Sequence, residues 1–139
     1  MMKPSERYRS VIEPAYNDYV KEPLSERLAN SLAAAIDHQI DWAFAYYEAV
    51  DRSRLDGATN VKSFRRKLVA QCTPLQVMND LSDAAHHRFL TRKNDPARAV
   101  VASTAAYSMQ SGALQIPAYN VPFLPTANGA LDFWRKWQD

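Results

Sequence analysis

The sequence predicts a mainly α protein: a single-domain bundle of four to five helices around one long central helix, with a small β-hairpin favoured in the C-terminal third. Three observations predict it. One run, residues 23–51, keeps helical periodicity throughout. Helix-start signals divide the residues that follow it. The chain of 139 residues is 47% hydrophobic, which suits one domain, residues 1–139, with a single core.

The central helix is expected over Pro23–Asp51. Proline suits the first turn of a helix, where its missing N–H has no intrahelical partner to lose. Apolar side chains recur at steps of three or four in two adjacent rows, so neighbours should pack on at least two sides. The rows are Leu24, Leu28, Leu32, Ala35, Gln39, Trp42, Tyr46 and Ala49, and Ile36, Ile40, Phe44, Tyr47 and Val50.

Two carboxylates, Asp37 and Asp41, lie one turn apart on this helix and share a face. The favoured interpretation is a solvated stripe that also contains Arg27 and Glu48. The alternative is that Asp37 or Asp41 faces a polar pocket shared with another helix.

Two shorter helices flank the central one. Ser5–Val20 forms one or two, interrupted near Pro14 because proline lacks the N–H that a helix interior needs. Val61–Cys72 buries Cys72 as a small core residue and turns Arg65 mostly away from the core. The candidate caps of this second helix are Thr59 and Asn60.

A further helix has the clearest start in the chain. Thr73 is a good N-cap, Pro74 suits the first helical position, and Gln76 completes a capping box. The helix is expected to run from Pro74 to about Arg92. Its expected buried residues are Leu75, Met78, Leu81, Ala85 and either Phe89 or Leu90.

Residues 99–131 contain no charged side chain. Their first half permits either one helix, from about residue 95 to 112, or a hairpin in which VVASTAAY and ALQI pair around Ser111-Gly112. We favour the hairpin, between Val100 and Ile116, because β-branched residues and a Ser-Gly turn suit it.

The end of the chain is expected to be a loop followed by a docked helix. Ile116–Pro125 contains three prolines and should be extended. A final helix should start at Thr126 or Asn128. The residues expected to close over the core are Leu131, Trp134 and either Phe133 or Trp137.

Composition narrows the class of protein. No run approaches the twenty apolar residues of a membrane helix, and a single cysteine suits a reducing cytoplasm. The net charge is +2, but residues 52–98 hold ten Lys or Arg and four Asp or Glu. That basic region could contact a polyanion. A solvated helix face is the more common cause, so nucleic acid is not the favoured partner.

Polar residues crowd into NDLSDAAHHR, residues 79–88, where Asp80, Asp83 and His87 share a helix face. The favoured interpretation is structural, with Asp83 accepting a hydrogen bond from His87 one turn later. A second is an acid–base site for RNA, with His87 as base, Asp83 orienting its ring and Arg88 holding the anion.

The third interpretation is a metal site. Asp83 with His86 or His87 would supply half of it, since bundle metal sites use a carboxylate and a histidine three residues apart. Asp37, His38 or Asp41 on the central helix would have to complete it.

The stretch DLSDAAHH, after a helix containing Asp41-Trp42, resembles the HEPN-like helical proteins of bacteria. Corresponding positions are Asp80, Asp83, His86 and His87, and the closing DFWRKW also fits. The resemblance implies a helical bundle that binds or cleaves RNA. Ribonuclease members carry Arg four to six residues before His, and no arginine stands at those positions here.

The sequence contains no nucleophile motif, phosphate loop or paired metal motif. It therefore predicts a binding or interaction module without a cofactor, which self-associates or contacts a protein partner. The uncharged segment 99–131 suggests such a surface. The first alternative is HEPN-like RNA binding or cleavage, and the second is a metal-dependent enzyme.

Overall fold

The computed structural model describes residues 1–86 and 106–139, and of His86 the backbone alone. The predicted mainly helical architecture around one long helix, with a hairpin in the C-terminal third, is confirmed. The helices are α1 Pro4–Arg7, α2 Glu13–Lys21, α3 Glu26–Val50, α4 Val61–Gln71, α5 Pro74–His86 and α6 Phe123–Arg135. The strands are β1 Ser108–Gln110, β2 Ala113–Ile116 and β3 Val121–Pro122.

The central helix α3 begins three residues later than predicted. Ser25 is its N-cap, because the Ser25 hydroxyl accepts a hydrogen bond from the Leu28 N–H at 3.1 Å. Pro23 therefore lies outside the helix. The prediction of neighbours on several sides is confirmed, since α3 packs against α1, α2, α4, α5 and α6. Its completely buried apolar residues are Ala29, Leu32, Ala33, Ile36, Ile40 and Ala43.

The N-terminal helices join through a π-helical turn, Tyr8–Ile12, just before Pro14. The Glu13 N–H bonds to the Tyr8 carbonyl, so the predicted interruption near Pro14 is a widened turn. Arg7 is buried and donates to the Ala35 carbonyl at 3.0 Å and to Gln39 Oε1 at 2.7 Å. These bonds fix α1 to α3 and place a polar pair where the sequence predicted an apolar row.

Helices α4 and α5 follow their predicted starts. Asn60 caps α4, accepting from the Ser63 N–H at 2.8 Å. In α5 the predicted residues Leu75, Met78 and Leu81 are buried. Ala85 is exposed and Ser82 is buried, so the prediction for Ala85 is wrong. The predicted extension to Arg92, with Phe89 or Leu90 buried, lies outside the described residues.

The three strands form an antiparallel sheet in the order β1-β2-β3. Ser111 and Gly112 both have positive φ, 56° and 74°, as a tight type I′ hairpin turn requires. The predicted turn and the return strand ALQI are confirmed. The first strand, Ser108–Gln110, follows the predicted stretch VVASTAAY and does not overlap it. Ala106 and Tyr107 of that stretch are not in a strand, and its residues 100–105 lie outside the described part of the chain.

Residues 116–125 are not the extended loop that three prolines suggested. Ile116 pairs with Val121 across a turn, and α6 begins at Phe123. Pro122 has extended geometry at the N-cap, and Pro125 lies in the first helical turn, where no N–H is needed. Both prolines therefore support the start of a helix.

The C-terminal helix is docked as predicted. Leu131 and Trp134 are buried, and Trp137 Nε1 donates to the Tyr47 hydroxyl at 2.8 Å. None of the helices in the described ranges is both long and apolar enough to cross a membrane.

Candidate functional site

Helix α5 carries a buried carboxylate, Asp80, whose exposed fraction is 0%. Gln76 Nε2, one turn earlier, donates to Asp80 Oδ1 at 2.8 Å. The Tyr119 hydroxyl, in the turn between β2 and β3, donates to Asp80 Oδ2. A buried carboxylate is tolerated only with such donors, so this contact ties the sheet to α5.

The hydrogen bonds continue across α5 to the central helix. Gln76 Nε2 also lies 3.4 Å from Asn79 Oδ1, and Asn79 Nδ2 donates to Asp37 Oδ1 at 3.1 Å. One network therefore runs from Tyr119 through α5 to α3. Linked buried groups of this kind hold their side chains in fixed positions.

The network ends in an ion pair between α3 and α4. Arg65 binds Asp37 through Nη1, and its Nη2 lies 3.3 Å from Asp41 Oδ1. The Asp37 side chain is 6% exposed and the Asp41 side chain 51%. The favoured solvated stripe is therefore wrong for Asp37, which faces a polar pocket shared with two other helices. It is right for Asp41.

The predicted metal candidates Asp37 and Asp41 share a guanidinium, which places a cationic side chain where an ion would need oxygen ligands. Within residues 1–86 and 106–139 no group of three or more His, Cys, Asp or Glu is arranged to hold a metal. The third candidate, His86, is described in its backbone alone.

The predicted acid–base centre is described only in part. Asp83 is half-buried on α5. His87 and Arg88 lie outside the described residues, so the roles assigned to these three stay predictions. Burial raises the pKa of the Cys72 thiol, which makes Cys72 a poorer nucleophile at neutral pH.

A cleft of about 420 Å³ opens beside the Asp80 end of the network. Its volume lies in the range of small-molecule sites, roughly 300–1,000 Å³. None of its described lining residues is charged. Its walls come from α4, the α4–α5 turn, α5, the β2–β3 connection and α6. The lining residues are Val69, Thr73, Pro74, Gln76, Val77, Tyr119, Val121 and Thr126.

Two lining residues of this cleft, Gln76 and Tyr119, are also the two donors to Asp80. Asp80 therefore holds the polar groups of both side chains in place, and the apolar walls leave space next to them. Mainly apolar walls with a few fixed polar groups are typical of ligand sites.

The described part of the basic region, residues 52–86, contributes less free charge than its composition suggests. Arg54 stacks over the rings of Tyr47 and Trp137, at 4.8 and 5.3 Å from their centroids. Arg65 is held by the aspartates of α3. Within the described part of the region, Arg52 and Lys67 also lie 3.9 Å from Glu48 and Asp56.

Sequence reasoning missed the residues that organise the cleft. Gln76 was assigned to a capping box, but its amide points along the helix to Asp80. The spacing of four between Gln76 and Asp80 was the available signal, because such pairs meet on one helix face. Tyr119 had no local signal, since only the fold brings it to α5.

No protein-family model, no curated protein and no solved structure matches this chain. The resemblance to HEPN-like proteins therefore stays a prediction from the motif alone.

Proposed function

We propose that this protein acts by binding, and that its binding site is the cleft between α4, α5, the β2–β3 connection and α6. The occupant is a small, mainly apolar molecule. The single observation that carries the proposal is the coincidence of this cleft with the two donors that Asp80 holds in place.

Several elements contribute to the cleft, and this supports a role in binding. Val69 lies near the end of α4, Val77 on α5 and Val121 on β3. Side chains that converge from separate elements keep their spacing only while the fold is intact. A ligand between them should therefore stabilise the folded state by mass action.

The test fills the cleft. Val69→Trp places a large ring in the wall formed by α4, and Val121→Phe does the same in the wall formed by β3. Nile red, an uncharged dye that fluoresces in apolar sites, is the probe. We expect the intact chain to enhance its fluorescence, and each filled variant to lose most of that enhancement.

The matched control is Ala70→Trp, which adds the same ring at an exposed position next to Val69. It should behave as the unmodified protein does. Circular dichroism confirms that each variant is folded. Equal enhancement in the filled variants and the control would place the dye elsewhere and end the proposal.

Self-association or a protein partner is the other form of binding that we propose from the sequence. The uncharged segment supports this only in part, because several of its apolar side chains pack inside the chain and are not available to a partner. Its buried residues include Tyr107, Leu114, Ile116, Phe123, Ala127, Ala130 and Leu131. A constant monomeric mass across a wide concentration range would contradict self-association.

A further inference from the structure

Gly129 lies in the middle of α6, where alanine would favour the helix more than glycine does. A Cβ atom added at this position would come 3.1 Å from Pro74 Cγ and 3.6 Å from Pro74 Cβ. Carbon atoms in contact prefer a separation of about 3.5–4.0 Å. The missing side chain therefore lets α6 approach the first turn of α5 more closely than a residue with a Cβ atom would allow.

The turn between α4 and α5 meets α6 at this same glycine. The thiol of Cys72, just before that turn, lies 3.8 Å from the Gly129 carbonyl oxygen. The ring of Pro74 is closed onto its own backbone, so Cγ cannot swing away from the contact as the end of a flexible side chain can. The backbone of α6 and the ring of Pro74 therefore fix the distance between the two elements.

Both elements that meet at this contact also form walls of the cleft. Thr73 and Pro74 line it from the turn, and Thr126 lines it from α6. Thr126 precedes Gly129 by three residues, so the two are neighbours on the helix surface. Gly129 is not among the described lining residues. A substitution at Gly129 therefore acts on the cleft by moving its walls.

We infer that Gly129 sets the width of the cleft between α6 and the α4–α5 turn, and with it the size of the molecule that the cleft accepts. Gly129 is a positioning residue, because it acts through Pro74. A methyl group at residue 129 would be a spacer that separates α6 from Pro74 by a few tenths of an ångström. The inference rests on the proposed function, because it concerns ligand size in the same cleft.

Gly129→Ala tests the inference with two uncharged aromatic probes, the small indole and the larger Nile red. Their affinities for the full chain are measured by NMR titration and by fluorescence. We expect the ratio of the two affinities to shift about threefold in favour of Nile red, less than the tenfold or more that one methylene is worth in an apolar pocket. The ratio is the readout because a loss of folded protein would weaken both probes equally.

Pro74→Ala supplies the control background. It removes Cγ, and the Cβ atom that remains lies at an ordinary contact distance, 3.6 Å. In this background Gly129→Ala should leave the ratio unchanged, although its effect on helix propensity is the same. Circular dichroism confirms that each variant is folded. If Gly129→Ala is unstable, every sample contains trimethylamine N-oxide, which favours the folded state.

The outcomes separate the two proposals. An unchanged ratio in Gly129→Ala, or an equal shift in both backgrounds, overturns the inference and leaves the cleft as a binding site. A shift in favour of indole also overturns it, because the spacer would then have narrowed the cleft. Binding of neither probe to the unmodified chain, or binding that Val69→Trp leaves intact, overturns both proposals.

Discussion

Arg65 decides whether Asp37 can stay buried. Its guanidinium bonds to the buried Asp37 and also reaches Asp41 at the surface. Removing one partner of a buried pair leaves a desolvated charge, and this costs more than the pair contributes when intact. The ion pair is therefore a condition for the packing of α3 against α4 and α5.

Arg65→Met should lower the free energy of unfolding by about 3 kcal/mol, the scale for an orphaned buried charge. Urea denaturation measures it. The double variant Arg65→Met/Asp37→Leu should cost less than the sum of the two single changes. Asp37→Leu removes the buried carboxylate that Arg65→Met leaves without its cation.

The control for this change is Arg66→Met, which removes the same group from the exposed neighbouring position. Surface changes of that kind stay within about 0.5 kcal/mol. Equal losses at residues 65 and 66 would mean that the Asp37 pair contributes no more than an ordinary surface charge.

At this scale the sequence named the right carboxylates but did not predict Arg65 and Tyr119 as partners of Asp37 and Asp80. Asp37 and Asp80 were both singled out as unusual positions on their helices. Their donors, Arg65 and Tyr119, come from elements distant in sequence, and local periodicity says nothing about such contacts. Arg65 was predicted to lie mostly away from the core. Its long side chain instead reaches back along the helix surface to Asp37.

The small sheet packs on the helices through β2 and the turn that follows it. Leu114 and Ile116 are buried beneath β2, and Tyr119 in the following turn donates to Asp80. Short sheets are marginal by themselves and depend on packing against another element. The Tyr119–Asp80 contact should therefore control how often the sheet separates from α5.

Tyr119→Phe tests this attachment. It deletes one hydroxyl and should cost about 1–3 kcal/mol, since Asp80 loses a donor while staying buried. Hydrogen exchange should quicken at residues 113–122 more than in α2. Tyr46→Phe, a half-buried tyrosine on α3, is the matched control. Unchanged exchange in the sheet would show that the hydroxyl does not hold it.

Element types followed from the sequence more readily than element ends. The helices over 61–71 and 74–86 carried caps and apolar spacing, and both appear where those signals stand. The predicted helix ends were wrong where proline can either start a helix or lie in a loop. Pro23 was taken as a helix start, yet Ser25 supplies the cap. Pro122 and Pro125 were taken as loop residues, yet they flank the start of α6.

The whole molecule buries several phenols around α3 and α6. Burial raises the pKa of Tyr19, Tyr47 and Tyr107 above the usual value of 10.0. The Tyr107 hydroxyl also donates to Asn30 Oδ1 at 2.7 Å. The folded state therefore retains phenolic protons that the unfolded chain releases near pH 10.

Stability should accordingly be insensitive to these tyrosines below about pH 10 and should fall as the pH rises beyond it. Urea denaturation between pH 8 and 11 measures the slope. Tyr107→Phe removes one retained proton and should make the decline shallower, whatever it does to stability at neutral pH. A slope that stays the same in this variant would contradict the assignment.

Net charge along the sequence and free charge on the fold differ in the described part of this chain. The basic segment suggested polyanions, yet the described arginines at 54 and 65 are held by aromatic rings and carboxylates of the same chain. The described lining of the cleft is uncharged. Net charge along a sequence is therefore an incomplete guide to a ligand, because it ignores which charges the fold neutralises.

The measurement that tests the proposed cleft most directly is an NMR titration of the backbone amides with indole, a small uncharged aromatic molecule. We expect saturable shifts concentrated at Gln76, Val77, Tyr119 and Thr126, and their loss in Val69→Trp. Shifts that avoid these residues, or that persist unchanged in the filled variant, would show that the cleft is not the binding site.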